Sequence, residues 1–569
     1  MKPELPNLET VLLLLMSGAL FVASPSGVHL RLLNSVCPSQ PWEKHTNGIF
    51  QVMVLYGAAL LALAILSYGC SLQGITLRAL VIRHSKEALS ALREDVIPSI
   101  QRCFLSRSET IWLLLVLVIG AGLRGYFLAQ PMRYDEAYTF MNFANRGFLD
   151  LFYYPNPNNH VLNTILVKAS TLIWGAHPAS IRLPAFLAGI ALIPLTFCLC
   201  RKLRQSGVFA AIAVSVFPYL VSYSTNARGY TLLILMTLAL GFVGAETTKK
   251  PSVGGAALLS AVAALGMMIT PSMLFPVAGI YCWLACLLSI KGYTLRTILL
   301  EAAIPCAMMT VVFTMVLYTP VILVSDGVES IVANRFVQSQ PWPEFLGQLG
   351  PHLRSIGDFV RDVPGVVLLM SMALVIVGIY GSARRRDWPT LLLLPSILFG
   401  SVLVFLVLHR IPFARTWIYV IPFILLTADS GFTWILERTS HRIRSSVVVV
   451  VVIIGAVLAV SLIATNAIAG YPDTGTFPEA PIVAGYLKPI MTSNDMVEVR
   501  VPADWPTYFY LWYYGVTEPY AEKNAVSGAT FFVVKKSRYS LQDMTERPVV
   551  KLLDFGDMAL YEAVDPEDQ

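Results

Sequence analysis

The chain has 569 residues, of which 56% are hydrophobic and only 13% are charged, and its formal net charge is +6. A soluble protein of this length could not bury so much apolar surface, so the composition excludes that class and indicates a polytopic membrane protein. The net charge is small for the length and calls for no nucleic-acid partner.

Thirteen apolar runs are long enough to cross a bilayer, judged against roughly 20 residues per helix. Two of them are separated only by a proline, Pro271. The runs lie at about 9–25, 49–71, 110–128, 180–199, 206–222, 229–246, 253–270, 271–290, 298–322, 365–381, 390–409, 416–435 and 446–467. The fold class predicted from this pattern is an α-helical membrane protein with about thirteen transmembrane helices.

Basic residues gather in every second loop between these runs. Examples are Arg201-Lys202, Lys249-Lys250 and Arg384-Arg385-Arg386. Because positively charged loops stay in the cytoplasm, the pattern predicts a cytoplasmic N-terminus and an extracytoplasmic tail after the thirteenth run. The loop after the third run is then extracytoplasmic as well.

Four segments are not predicted to span the membrane. Residues 74–97 have an apolar face opposite Arg and Lys, which suits an interfacial helix on the cytoplasmic leaflet. Residues 129–179 and 323–364 form long external loops, and such loops are usually functional. The predicted division is therefore an N-terminal region, 1–107, with two helices and the interfacial helix; a transmembrane core, 108–467; and a tail, 468–569.

The sequence pattern of the tail differs from that of the transmembrane core and predicts a small external α/β domain. Strand-like alternation occurs at Met496–Val501, Thr530–Val534, Val549–Leu553 and Ala559–Ala563, with helix-like stretches between them. A cluster of aromatic residues lies at 505–514. It fits the core of this domain or its contact with the membrane surface, with an acceptor-binding face as the alternative.

Two adjacent carboxylates, Asp135 and Glu136, follow the third run in the stretch Arg133-Tyr134-Asp135-Glu136-Ala137-Tyr138. Acidic residues near a bilayer are costly unless they are paired or functional, so the pair is a candidate site. The plainer interpretation is a helix start, where Asp and Glu are favoured. The other residues predicted on the same side of the membrane decide between the two.

Carboxylates, a histidine and several arginines all fall on the predicted outer face. A carboxylate with His can deprotonate a hydroxyl or hold a divalent metal. Arginines from different helices suit a phosphate, which guanidinium binds bidentately. Each residue alone has a plainer role: Asn156-Pro157-Asn158-Asn159 is a turn signal, and Arg182 or Arg228 could reach lipid head groups. The full set is Asp135, Glu136, Asn156, Asn158, Asn159, His160, Lys168, Arg182, Arg228, Arg410 and Arg415.

The order of these motifs resembles a known family. The chain has, in this order, an apolar span, an external Asp-Glu, Ile181-Arg182-Leu183-Pro184-Ala185, Ala227-Arg228-Gly229-Tyr230, and later Arg415 with Tyr419-Val420-Ile421-Pro422. This arrangement is similar to the GT-C-fold membrane glycosyltransferases, specifically the protein O-mannosyltransferases and aminoarabinose transferases. The resemblance covers about 108–467, and its motifs are short.

The resemblance implies a transferase that uses a polyprenyl-phosphate-linked sugar on the extracytoplasmic face. It makes Asp135 the catalytic acidic residue, a base or metal-adjacent carboxylate, and Glu136 the neighbour that orients the acceptor or shares the base role. The residues that we then expect at the donor phosphate are Arg228, Arg415, Arg410 and Arg133. Those that we expect at the substrate are Asn158, Asn159, His160, Tyr138 and Tyr230.

The chain departs from this family in the first external loop. Relatives usually carry His-Pro-Pro or Glu-Lys-Pro there, whereas this chain has Asn156-Pro157-Asn158-Asn159-His160. A carboxylate ligand or a lysine is therefore missing, and Asn159 and His160 are the expected replacements. Metal dependence is left open, with Asp135 and His160 as the candidate ligands of a divalent ion.

The expected reaction is a single displacement in which Asp135 deprotonates an acceptor hydroxyl, which inverts the anomeric centre. The acceptor can be a lipid, a polysaccharide or a protein, and the build favours a bacterial inner membrane. Two other classes stay open. A lipid or sugar transporter would place its charges near the bilayer midplane, often in inverted repeats, and a scaffold would leave the Asp-Glu pair and the outer arginines without a role.

Overall fold

A computed structural model describes residues 8–24, 28, 31, 42–72, 77–104, 107–325, 327–332, 338–471, 473, 475–492, 494–516 and 528–564. Within these ranges the chain is mostly helical. The first residues of the predicted interfacial helix, 74–76, lie outside the described ranges, as do 326 and 333–337 of the second predicted external loop.

The described part of the N-terminal half consists mainly of helices. They are α1 (Leu8–Ala23), α2 (Thr46–Leu72), α3 (Leu77–Ser90), α4 (Ile97–Cys103), α5 (Arg107–Phe127), α6 (Tyr134–Thr139), α7 (Val161–Trp174), α8 (Pro178–Lys202), α9 (Val208–Val216), α10 (Pro218–Ser224), α11 (Tyr230–Thr247), α12 (Val253–Ile269) and α13 (Leu274–Ile290). The predicted interfacial segment is therefore helical from Leu77 onward.

Besides the single turns Leu295–Thr297 and Glu329–Val332, the described part of the second half has six helices of more than ten residues in the membrane region and two helices in the tail. They are α14 (Ile304–Val324), α15 (Trp342–Gly357), α16 (Gly365–Arg385), α17 (Trp388–Leu408), α18 (Val420–Leu436), α19 (His441–Ala464), α20 (Ala480–Leu487) and α21 (Asp504–Tyr513). A short helical turn, Ala414–Tyr419, connects α17 to α18.

Within the described part of the chain, ten helices are long and apolar enough to cross a membrane. The other three predicted spans are also helical but differ in length or continuity. Helix α1 has 16 residues and α12 has 17. The predicted span at 206–222 is divided into α9 and α10. All thirteen runs are thus helical. That all thirteen cross the membrane remains a prediction.

The break between α9 and α10 follows from Pro218, because proline disfavours helical backbone at the residue before it. Phe217 accordingly has ψ 118°. The carbonyls left free at the end of α9 are bonded by a buried arginine of α5: Arg124 donates to Ser215 O at 2.7 Å and to Val214 O at 3.1 Å. Orphaned backbone carbonyls are expensive inside a membrane, so this arginine has a structural role.

The predicted cytoplasmic loops contact one another at one end of the bundle. Lys202 and Lys249, from two different basic loops, both pair with the buried Glu246. Lys291 of a third donates to the Thr248 carbonyl at 2.8 Å. Helix α4 joins the same cluster, because Ser99 donates to Glu246. We call this the basic end, and the opposite end the domain end, because the tail packs there.

The tail contains a four-stranded sheet whose strands lie close to the predicted ones. Its strands are β1 (Met496–Val499), β2 (Thr530–Lys535), β3 (Val549–Phe555) and β4 (Met558–Ala563). The order is β1-β2-β4-β3, with β1 parallel to β2 and the other pairs antiparallel. The predicted small C-terminal α/β domain is confirmed.

The tail domain packs directly on helix α6. Its buried Phe509 lies edge-on to Phe140 at 5.8 Å between ring centroids, and the hydroxyl of Tyr510 accepts a bond from the Met132 amide at 3.1 Å. The Tyr134 amide donates to the Gly475 carbonyl at 2.9 Å. Burying one such aromatic side chain contributes about 1.5–3 kcal/mol. The aromatic cluster therefore forms the domain core and its contact with the loop that carries Asp135.

Candidate active site

Two adjacent carboxylates lie in the first turn of helix α6, just after the α5 span. Arg133 precedes the helix in extended backbone, and its amide donates to Glu136 at 2.8 Å, which closes the first turn. Successive side chains on a helix point about 100° apart. Asp135 and Glu136 therefore face different surroundings.

Glu136 is fully buried and surrounded by donors. Its Oε2 accepts from Arg182 Nε at 3.0 Å and from the Ala227 amide at 2.8 Å. Its Oε1 accepts from Arg182 Nη2 as well as from Arg133. These bonds join α6 to α8 and to the segment before α11. The geometry gives Glu136 a structural role, and its expected role in orienting the acceptor or sharing the base stays a prediction.

Asp135 is held by an asparagine and an arginine. Its Oδ1 lies 3.4 Å from Asn158 Nδ2. Its Oδ2 lies 3.3 Å from Arg415 Nη2 and has no hydrogen-bond partner among the described residues. The side chain is 10% exposed, and Oδ2 itself is buried beside the cation. A carboxylate with one oxygen that bonds no described residue is a candidate base.

Arg415 lies between Asp135 and a second carboxylate, Asp473. Its Nε donates to the Tyr230 hydroxyl at 3.0 Å, and its Nη1 is 3.7 Å from Asp473 Oδ1. Asp473 Oδ2 accepts bonds from Tyr219 at 2.7 Å and Tyr223 at 2.6 Å. Asp473 was missed in the sequence because its partners come from distant helices and no local motif marks it.

Asn158 connects Asp135 to a buried arginine, Arg228. Arg228 donates to the Asn158 carbonyl at 2.7 Å, to its side-chain oxygen at 3.0 Å and to Thr139 at 2.9 Å. His160 lies beside it, with 3.4 Å between Arg228 Nη2 and His160 Nε2. Arg228 is thus bonded mainly to the protein and fixes the loop that carries Asn158.

His160 accepts a bond at Nδ1 from the Gly229 amide at 2.8 Å. A Cβ at position 229 would lie 2.7 Å from that nitrogen, so this approach requires glycine. Burial, together with the charges of Arg228 and Arg415, holds the pKa of His160 well below its usual value. The ring is therefore neutral at physiological pH.

A cavity of about 270 Å³ lies next to these residues at the domain end. Its wall includes Asn158, His160, Tyr230, Arg410 and Arg415, together with apolar side chains such as Leu274, Phe275 and Leu408. The Arg410 Nε is buried and has no hydrogen-bond partner in the described ranges. Two arginines thus line one small cavity that a carboxylate adjoins, and one of them has a buried nitrogen without a partner among the described residues.

A larger apolar groove of about 740 Å³ lies between α9, α16, α18 and α19. Its lining includes Ile212, Ser371 and Leu458, and near the domain end Phe359. Phe359 stacks on Tyr219 at 4.3 Å between ring centroids. Because Tyr219 bonds Asp473, the groove ends close to the Arg415 network.

Three predicted site residues are engaged elsewhere. Arg133 donates to the carbonyls of Ile468 and Tyr471 and so holds the segment after α19, not the cavity expected for a donor phosphate. Asn159 is buried and donates to the carbonyls of two residues of its own loop. Tyr138 packs edge-on to Trp505 of the tail domain, at 5.1 Å.

The residues present do not fit a divalent ion. No group of three or more His, Cys, Asp or Glu that could hold a metal occurs in the described part of the chain. Of the two candidate ligands, Asp135 is paired with Arg415, and the other ring nitrogen of His160, Nε2, faces Arg228. A cation between them would be repelled by both guanidinium groups.

No known protein-family model matches the chain, and no curated protein matches it. Solved structures match the chain. The crystal structure of ArnT from Cupriavidus metallidurans in the apo state matches with a TM-score of 0.54 and 15% identity, over 80% of this chain and 98% of that one. The structure of the same protein bound to undecaprenyl phosphate has a TM-score of 0.49 and 14% identity, over 80% and 99%.

The apo ArnT match shows the fold. ArnT is an aminoarabinose transferase of the GT-C fold, so the GT-C-like architecture expected from the motifs is confirmed. The likeness covers 80% of the chain, a larger share than residues 108–467. It therefore extends beyond the transmembrane core in which the sequence motifs lie.

Proposed function

We propose that this protein is an integral-membrane glycosyltransferase that moves a sugar from a polyprenyl-phosphate donor to an acceptor hydroxyl. The observation that carries the proposal is the Asp135–Arg415 contact at the edge of a cavity that Arg410 also lines. A carboxylate base and a cationic phosphate site within one small space suit the displacement of a sugar from a phosphate leaving group.

In the reaction, the acceptor oxygen forms a bond to the anomeric carbon while its proton passes to the Asp135 carboxylate. The bond from that carbon to the phosphate oxygen breaks, and its electron pair stays on the phosphate. Arg410 and Arg415 stabilise the charge that develops there. One displacement needs no sugar–enzyme intermediate, so the anomeric configuration inverts.

The remaining side chains hold these groups in place. Asn158 positions the free carboxylate through its contact with Asp135 Oδ1, and Arg228 fixes Asn158 in turn. His160 and Tyr230 form one wall of the cavity, their rings edge-on at 4.8 Å. Glu136 and Arg182 keep α6 on the bundle. No step requires a metal.

The carrier lipid is supported by the cavities and by the shared fold. The apolar groove lies between membrane-spanning helices and falls within the roughly 300–1,000 Å³ of typical ligand sites. We propose that it takes the chain of the polyprenyl donor. ArnT, whose fold this chain shares, has been crystallised with undecaprenyl phosphate. The charge pattern of the loops supports an extracytoplasmic site, and the overall build supports a bacterial inner membrane.

The test is sugar transfer in nanodiscs from a panel of radiolabelled undecaprenyl-phosphate sugars to candidate acceptors. Wild type is compared with Asp135→Asn, and Asp150→Asn in the same loop is the matched control. Loss of a general base is expected to lower turnover by about 10²–10⁴-fold. The control is expected to retain wild-type turnover, because the Asp150 carboxylate bonds only the Gly147 amide among the described residues.

Equal turnover in wild type and Asp135→Asn would exclude Asp135 as the base. Retention of the donor's anomeric configuration in the product would exclude the single displacement. Absence of turnover for every donor by folded wild type would overturn the proposal in favour of a lipid or sugar transporter.

A further inference from the structure

Helix α15 lies against the turn Ala414–Tyr419 that carries Arg415. One side of the helix is buried: Phe345 is fully enclosed and His352 nearly so. The spacing of seven residues places both on one face. Phe345 packs on Phe405 of α17 with 4.9 Å between ring centroids. The helix therefore has a fixed position over the α17–α18 connection.

A hydrogen bond between two rings joins the helix to the turn. Trp417 Nε1 donates to His352 Nε2 at 2.9 Å. An indole N–H can only donate, so Nε2 of His352 must be the unprotonated nitrogen. Burial lowers the pKa of His352, which favours the neutral ring that this bond requires.

Trp417 is two residues beyond Arg415 in the same short turn. Its ring also lies 5.7 Å from Phe275, which lines the cavity beside Arg415. A half-buried indole that lost its acceptor would leave an unsatisfied N–H, and the ring would then rotate or the turn would shift. Either movement displaces the backbone that positions Arg415 between Asp135 and Asp473.

We propose that His352 is a positioning residue, which holds the Ala414–Tyr419 turn through Trp417 and so sets the place of the Arg415 guanidinium. This role rests on the proposed function, because Arg415 is taken there as the donor-phosphate ligand. His352 itself lines neither the cavity nor the apolar groove. Its neighbours Leu353 and Ile356 line the groove, so the same helix contacts both the groove and the turn.

The experiment compares His352→Phe, which keeps an aromatic ring and removes the acceptor, with His352→Gln, which keeps an acceptor. Ser355→Ala, on the exposed side of the same helix, is the matched control. The KM for undecaprenyl-phosphate sugar is expected to rise by about tenfold in His352→Phe, with a smaller change in kcat. His352→Gln is expected to restore much of the affinity.

Trp417→Phe is expected to have the same effect as His352→Phe, and the double variant no larger an effect than either, since one bond is removed in all three. Hydrogen–deuterium exchange of peptides covering 410–420 provides a readout without substrate. Exchange there is expected to rise in His352→Phe but not in Ser355→Ala, with the other transmembrane peptides unchanged.

Unchanged exchange in 410–420 together with an unchanged KM would overturn the positioning role. Increased exchange across the whole chain would also overturn it, because it would show a general structural role. If wild type transfers no sugar while exchange in 410–420 still responds to His352→Phe, the proposed function fails and the role of His352 in holding the turn survives.

Discussion

The Asp135 carboxylate meets the Arg415 guanidinium at 3.3 Å, although the two residues lie near opposite ends of the transmembrane core sequence. Arg415 also contacts Tyr230 and Asp473. One arginine thus brings together four segments: the α6 helix, the start of α11, the α17–α18 turn and the segment after α19.

Glu136→Gln is expected to destabilise the protein far more than Asp135→Asn. Glu136 and Arg182 form an ion pair in which both side chains are fully buried. Removing one partner of such a pair costs about 3–5 kcal/mol. Thermal unfolding in detergent measures the difference, and Asp135→Asn is the matched control. Equal melting temperatures for the two variants would contradict the structural role of Glu136.

Arg410→Gln is expected to weaken donor binding by about 1.5–3 kcal/mol, the range for hydrogen bonds to charged groups. The reason is that Arg410 lines the cavity with a buried nitrogen that has no partner among the described residues. The measurement is the KM for the polyprenyl-phosphate sugar. Arg354→Gln, exposed on α15, controls for charge; a similar loss in that variant would remove the specific role of Arg410.

Ser371→Trp is expected to fill the apolar groove, because Ser371 belongs to its lining. The variant should raise the KM for a long-chain donor and leave that for a short-chain donor near the wild-type value. Leu369→Trp on the same helix is the control, since Leu369 is 67% exposed and outside the lining. Equal effects on long-chain and short-chain donors would show that the chain lies elsewhere.

Asp504 is expected to make the tail domain less stable as pH rises. Burial raises the pKa of this carboxyl to about 6 from an ordinary 3.8. Between about pH 4 and pH 6 the folded state therefore binds more protons than the unfolded state. The contribution of the protonated Asp504 to the free energy of unfolding is present below about pH 4 and is lost as pH rises through about 6.

Melting temperatures measured across this pH range test the Asp504 prediction. The curve for Asp504→Asn should be flatter than that of wild type, and its melting temperature at neutral pH should be higher. A wild-type melting temperature that rises with pH through this window, with the slope removed in Asp504→Asn, would reverse the sign and exclude the assignment.

Much of the fold follows from local sequence patterns. Apolar runs predicted the helices, and period-two alternation in the tail predicted all four strands within a few residues. Pro271 marked a real break, because the preceding Thr270 is extended, with ψ 141°. The break at Pro218 was missed because the apolar run continues through it, and hydropathy does not register a backbone constraint.

By itself the sequence determined that the protein is helical, lies in a membrane and has a separate α/β tail, and it predicted Asp135, Arg410 and Arg415 as site residues. These properties depend on composition and on the short repeat of apolar residues in helices and strands, and both can be read directly along the chain. Only the tertiary structure decided which neighbours face the cavity. In the tertiary structure Glu136, Arg133 and Asn159 bond the protein. Asp473 contacts Arg415, and His352 bonds the turn that carries Arg415. The sequence does not show these contacts, because side-chain direction and long-range contacts depend on how distant helices pack.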